Sequence, residues 1–117
     1  MPKPVIPRSQ ANRDIDDAIA HYLELGAGDA ALGFIDALEH VLHNIGHHPA
    51  AGSPRYAHEL GIPDLRSWLT PGYPYLIFYV ESSDHVDVWR VLHGQRDIAA
   101  WLSAMPRTDR AEGDSEC

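Results

Sequence analysis

The chain has little cysteine and little lysine. Its one cysteine, Cys117, is the last of 117 residues, which excludes an intrachain disulfide or a thiolate-metal cluster and leaves the thiol only an intermolecular role. Its one lysine, Lys3, lies near the start, and the remaining cations are arginines. The longest apolar run, Tyr75 to Val80, is six residues, against roughly 18 for a membrane span, so no segment is expected to cross a bilayer. Residues 1–10 carry three prolines and no apolar stretch of the secretory kind, so a cytoplasmic location is expected. No glycine-rich phosphate loop is present, and no serine has the context of a nucleophile elbow.

What is there is ordinary globular composition, 44% hydrophobic and 22% charged, enough for one core and one domain. The formal net charge of −8 disfavours a function that rests on wrapping a nucleic-acid backbone. The charge is unevenly placed. Residues 11–47 hold seven acidic groups and one arginine, Arg13, whereas Arg55, Arg66, Arg90 and Arg96 all fall in residues 48–105. Residues 106–117 have no apolar periodicity and read as a mobile acidic tail after a single domain of residues 1–105.

Hydrophobic spacing predicts the elements. Val5 and Ile6, flanked by Pro4 and Pro7, suit an edge strand or an extended arm. Ile15, Ala18, Ile19, Tyr22 and Leu23 fall on one helical face from Asn12 to Gly26, with Asp14, Asp16 and Asp17 placed in the first turn. Asp29 suits an N-cap for a second helix of about 16 residues, whose apolar positions run from Leu32 to Ile45. Proline and glycine then punctuate residues 48–64, an expected irregular connection with at most a short strand or turn. Arg66 to Thr70, Tyr75 to Glu81 and His85 to Leu92 read as a three-stranded meander. The period slips near Trp89 and Arg90, as a bulge would cause, aiming Arg90 away from its regular face. Asp97 can cap a short last helix with Ile98, Trp101 and Leu102 on one face. The order β-α-α-β-β-β-α implies an α+β fold in which a helical hairpin packs on one face of a small, mostly antiparallel sheet.

Several fragments carry a family resemblance. Ala18-Ile19-x-x-Tyr22, Ala31-x-x-Phe34-Ile35-x-x-Leu38, Pro49-x-x-Gly52, Tyr75-Leu76-Ile77-Phe78-Tyr79, and Val86-x-Val88-x-x-Val91-Leu92-His93-Gly94 followed by Arg96-Asp97 occur in an order and spacing that resembles the RelE/ParE superfamily of toxins from type II toxin-antitoxin pairs, over about residues 3–105. The resemblance implies a growth-inhibiting toxin and a cognate antitoxin encoded beside it. Two activities are open. A RelE-like toxin cleaves mRNA on the ribosome, which requires cations for phosphate and groups for proton transfer; here Arg66, Arg90 and His93 are the candidates, with His58 and His85 as further proton acceptors. A ParE-like toxin poisons DNA gyrase and needs no chemistry of its own, a role that an acidic, lysine-poor protein fits better. A superfamily member that binds antitoxin without toxicity is a third possibility. On the ParE-like reading the expected target-binding residues are Arg90, His93, Arg96 and Trp101, with no cofactor, no membrane contact and no sequence-specific nucleic-acid binding by the toxin alone.

Each of these residues also has a plainer role. His93-Gly94 can simply end a strand, and Arg96-Asp97 can be a local ion pair at a helix start. Arg66 and Arg90 are expected to pair with Asp64 and Asp87 rather than form a cationic patch. His40, His43 and His47 recur at helical spacing, but there is no His-Glu-x-x-His and no third oriented ligand, so no metal is expected. The aromatics of the meander are better read as core and partner surface than as a base-stacking platform. Tyr22, Phe34, Trp68, Tyr75 and Trp89 are therefore the expected antitoxin contacts, and an antitoxin for so acidic a hairpin should carry compensating Lys or Arg.

Overall fold

The computed structural model describes residues 2–94 and 97–104. A four-stranded sheet runs in the order β1-β4-β3-β2, formed by β1 (Val5–Pro7), β2 (Leu65–Leu69), β3 (Tyr75–Glu81) and β4 (Val86–His93). The last three strands are the expected meander, antiparallel throughout. β1 is the expected edge strand, but it pairs parallel to β4, with Val5 opposite Val86 and Pro7 opposite Val88, so the sheet is mixed. The two prolines suit this edge: Pro4 contributes only its carbonyl, which accepts from the Val86 N–H at 2.9 Å.

Helices α1 (Ser9–Glu24) and α2 (Gly28–His47) form the hairpin. Gly26, at φ 71°, makes the reversal between them with a backbone conformation that side chains disfavour. Both helices begin earlier than expected. The Arg8 N–H is held by the Val88 carbonyl at 2.9 Å and the Arg8 carbonyl already accepts from Asn12, so α1 starts directly off the sheet. Asp14 consequently sits beyond the first turn, and Asp29 lies inside the first turn of α2 rather than at its cap.

The hairpin packs on one sheet face. Phe34, Leu38, Val41 and Ile45 from α2 and Ala11 and Ala18 from α1 meet Tyr75, Ile77, Tyr79, Val86, Val88 and Val91, each strand contributing alternate residues as the pleat requires. The second face is not left bare. Residues 55–60 form α3 (Arg55–Leu60) inside the stretch read as irregular, and together with α4 (Asp97–Ala104) it covers part of that face. Leu60, Leu65, Phe78, Leu92 and Ile98 form a second, smaller core there. Proline and glycine density concealed α3, because Pro54 precedes the helix and Gly61, at φ 68°, ends it in a left-handed cap. The short strand expected in the same stretch is a single bridge, Ser53 to Ser67.

The β4 bulge occurs where the period slips. Phe78 lies opposite Arg90 and Tyr79 opposite Val88, leaving Trp89 without a cross-strand partner. Val88 and Val91 thereby both face the hairpin, and Trp89 faces the α3–α4 side.

Candidate functional site

The bulge matters because of what borders it. β1 ends opposite Val88 while β4 continues to His93, so the far half of β4, paired to β3 on one side, has no strand along its outer edge. Its outward N–H groups are met by carboxylates instead. Val91 donates to Asp14 Oδ2 at 3.0 Å, and His93 donates to Asp97 Oδ2 at 3.1 Å. An exposed edge is thereby closed without a strand, which removes a template for unwanted pairing.

Asp14 is the centre of this arrangement. Its side chain is 8% exposed, and it accepts from Arg90 Nε at 2.8 Å, Arg90 Nη2 at 3.1 Å and Gln10 Nε2 at 3.2 Å as well as from Val91. The Arg90 guanidinium lies 5.7 Å from the centre of the Trp101 ring, within range of a cation–π contact. Gln10, Asp14, Asp17, Arg90, Leu92, Asp97, Ala100 and Trp101 line an open cleft of about 370 Å³ between α1 and α4. Asp14 is absent from the expected site residues, although the sequence carries a signal for it. It stands three residues after Ala11 and four before Ala18, on the buried stripe of α1, where a charge requires a partner.

The expected target-binding residues divide accordingly. Arg90 and Trp101 meet at the cleft. His93 is at the end of the same strand, with its ring 5.5 Å from Tyr75, and Arg96 lies outside the described residues. Arg66 is elsewhere: β3 separates it from Arg90, it faces the hairpin side opposite Tyr79, and its Nη1 donates to the Gly52 carbonyl at 2.8 Å. The expected pairs are corrected as well. Arg90 pairs with Asp14, not Asp87, because the bulge turns it toward the open edge; Asp87 pairs with Arg8 at 2.7 Å. In the register His93 and Arg66 are four rows and two strands apart, roughly 13 Å along and 10 Å across the sheet. His85 is engaged by Asp84 at 2.7 Å, a hydrogen bond that also lowers the Asp84 pKa, and His58 is exposed on the outer side of α3.

The expected antitoxin contacts also separate. Phe34 and Tyr75 are buried inside the hairpin core. Tyr22 is partly exposed above them, with burial first and then Tyr75 and Tyr73 raising its pKa, and Trp68 is partly exposed on the edge strand β2. Trp89 is on the opposite face, 4.3 Å beneath the Arg8 guanidinium, with Nε1 donating to Asp87 at 3.1 Å. The hairpin surface has its own character. Leu23, Leu25 and Leu32 are more than half exposed near its turn. The exposed Asp16, Asp17, Glu24, Asp29, Asp36 and Glu39 take part in none of the ion pairs among the described residues.

His43 and His47 stack at 4.2 Å between ring centres, with His47 Nδ1 directed to the His43 carbonyl at 3.0 Å. Among the described residues no three His, Cys, Asp or Glu side chains are grouped to hold a metal ion. Nor is any described helix long and apolar enough to cross a membrane.

None of the curated proteins matches the chain. A solved structure described as "Chromosomal ParDE TA system from P. aeruginosa" is similar at a TM-score of 0.66 and 15% identity, over 78% of this chain and 95% of that one, a likeness of fold. The family model for the ParE toxin of the type II toxin-antitoxin system parDE matches residues 5–98, a span that contains the hairpin, the whole sheet and the bulge. The chain is a member of the ParE family of type II toxins, built on the RelE/ParE-like fold.

Proposed function

We propose that this toxin acts by binding, as a poison of DNA gyrase, and that a cognate antitoxin neutralises it. The observation that favours binding over chemistry is the dispersal of the candidate catalytic groups. Cleavage of RNA needs a cation for the phosphate and a proton acceptor within hydrogen-bond reach of one another's substrate atoms. Arg66 and His93 stand at different ends of the sheet, and Arg90 is already bound on one side by Asp14. An arginine, moreover, does not serve as a general base. Arg90, Trp101, His93 and Arg96 are the proposed target contacts.

The antitoxin is proposed to lie on the hairpin and the β2 edge, where Tyr22 and Trp68 offer aromatic surface and Phe34 and Tyr75 support it from behind. Exposed carboxylates of the hairpin, Asp16, Glu24, Asp29, Asp36 and Glu39, together with exposed Leu23, Leu25 and Leu32 near its turn, suit a segment that alternates Lys or Arg with aliphatic side chains.

The test is a supercoiling reaction with purified gyrase and this protein, scored for linear DNA after protease treatment. Toxin-dependent linear DNA that weakens in Arg90→Gln is the expected result. Folded, antitoxin-free protein without effect on gyrase would overturn the gyrase reading and make cleavage of ribosome-bound mRNA the next assay.

A further inference from the structure

We propose that Asp14 is a positioning residue of the target-binding surface, which fixes Arg90 by one edge of its guanidinium so that the other edge donates to a main-chain carbonyl of a protein target. The inference rests on the reading that Arg90 faces the target.

A guanidinium offers two forked edges to acceptors, one formed by Nε and one Nη, the other by the two Nη atoms. Asp14 occupies the first, at 2.8 and 3.1 Å. Among the described residues Nη1 has no protein acceptor, while the side chain keeps 25% of its surface exposed and lines the cleft beside Trp101. The orientation is over-determined. The bulge directs Arg90 to the open edge of β4, Trp101 is beside the guanidinium, and the Asp14 carboxylate is itself immobilised by Gln10 and the Val91 N–H. A planar donor held in this way loses little conformational freedom on binding, so the entropic cost of engaging it is small.

The surroundings select the acceptor. Asp14, Asp17 and Asp97 line the same cleft as Arg90, so among the described lining residues carboxylates outnumber cations. A phosphate or carboxylate entering there meets net repulsion, whereas a neutral carbonyl oxygen accepts from Nη1 and Nη2 without it. Trp101 adds an apolar wall of the kind that anchors protein interfaces. The acceptor is therefore peptide main chain, not nucleic-acid backbone.

The experiment expresses the full chain from a titratable promoter in bacteria lacking the antitoxin, with growth arrest as the readout. Antitoxin affinity and thermal melting of the purified variants serve as controls. Asp14→Asn keeps an acceptor for the Val91 N–H but loses the charge that holds Arg90. Asp14→Asn and Arg90→Gln are each expected to raise the induction needed for arrest by about tenfold, with antitoxin binding retained. The double variant Asp14→Asn/Arg90→Gln is expected to be no weaker than Arg90→Gln alone, because Asp14 acts through Arg90. A double variant weaker than Arg90→Gln, or a fully toxic Asp14→Asn, overturns the proposal and leaves Asp14 a staple between α1 and β4.

Arg90→Lys keeps a cation for Asp14 without the second forked edge, and is expected to melt near the wild type yet lose toxicity. A fully toxic Arg90→Lys overturns the proposal even if Asp14→Asn fails to fold. If added salt weakens target inhibition by the wild type much more than by Arg90→Gln, the acceptor is an oxyanion and the carbonyl assignment falls. Wild-type arrest without gyrase cleavage would remove gyrase as the target and leave the Asp14 test standing, whereas a wild type that arrests nothing overturns both.

Discussion

The two faces of the sheet are built differently. On the hairpin side two long helices lay a continuous apolar stripe over β3 and β4, and Phe34, Val41, Ile45, Ile77, Tyr79, Val86 and Val88 are wholly buried. On the other side one helix of six residues and one of eight shelter a small cluster around Phe78. Much of that cluster is joined by rings: Phe78 lies 5.4 Å from Tyr56 and 5.0 Å from Trp101, both edge-to-face. The hairpin side thus carries the stability of the domain. The thinner side carries the cleft, Arg90, Trp89 and Trp101. On the proposed reading, in which the thinner side meets the target, stability and binding are carried by different faces and each can be adjusted without the other.

Mutation sharpens that contrast. Phe34→Ala is expected to lower unfolding free energy by about 3–5 kcal/mol, read as a shift in the denaturant midpoint. Leu60→Ala on the thinner side is expected to cost about 2–3 kcal/mol, the lower part of the range for such truncations, because surrounding side chains can partly close the gap. Equal losses at the two sites would refute the asymmetry.

Gly52 tests how tightly the hairpin side is closed at the sheet's far edge. A Cβ there would collide with the Tyr79 hydroxyl, which donates to the Pro49 carbonyl at 2.6 Å. Gly52→Ala should therefore destabilise by about 1–3 kcal/mol, whereas an unchanged melting curve would mean that this loop yields freely.

Thr70 gives an opposite sign. It is fully buried at the end of β2, and its Oγ1 is the one buried side-chain oxygen or nitrogen among the described residues that lacks a hydrogen-bond partner. Thr70→Val should be neutral or stabilise by up to about 1 kcal/mol. Clear destabilisation would show that the hydroxyl is satisfied in solution.

The smallest effect concerns pH. Burial, the main cause, raises the Tyr79 pKa, outweighing the Gly52 backbone hydrogen bond and the Arg66 charge, which lower it. A phenol whose folded pKa exceeds its unfolded value contributes stability that is whole below about pH 10 and lost as pH rises through the folded value. Chemical denaturation at pH 9 and above should show this decline, and Tyr79→Phe should flatten it. A slope unchanged in Tyr79→Phe would assign the decline to other groups.

The hairpin, the meander and the bulge at Trp89 were legible in the sequence because each is written in spacing between near neighbours: apolar residues every three or four positions, alternation in the strands, and one slip of that alternation; the family was legible only through the resemblance of particular motifs, from Ala18-Ile19-x-x-Tyr22 to Arg96-Asp97. The same resemblance also placed Arg90 and Trp101 among the candidate contacts. Long-range packing, which spacing between near neighbours does not encode, makes β1 run parallel to β4, forms a helix from residues 55–60 on the second face, and turns Trp89 and Tyr22 out from opposite sides. The pairing of Asp14 with Arg90 joins residues 76 positions apart. Coulombic attraction has no periodicity along a chain, and a carboxylate takes whichever cation the fold brings to it. The choice between Asp87 and Asp14 was made by where β1 stops and where the bulge turns Arg90, and both are properties of the assembled sheet.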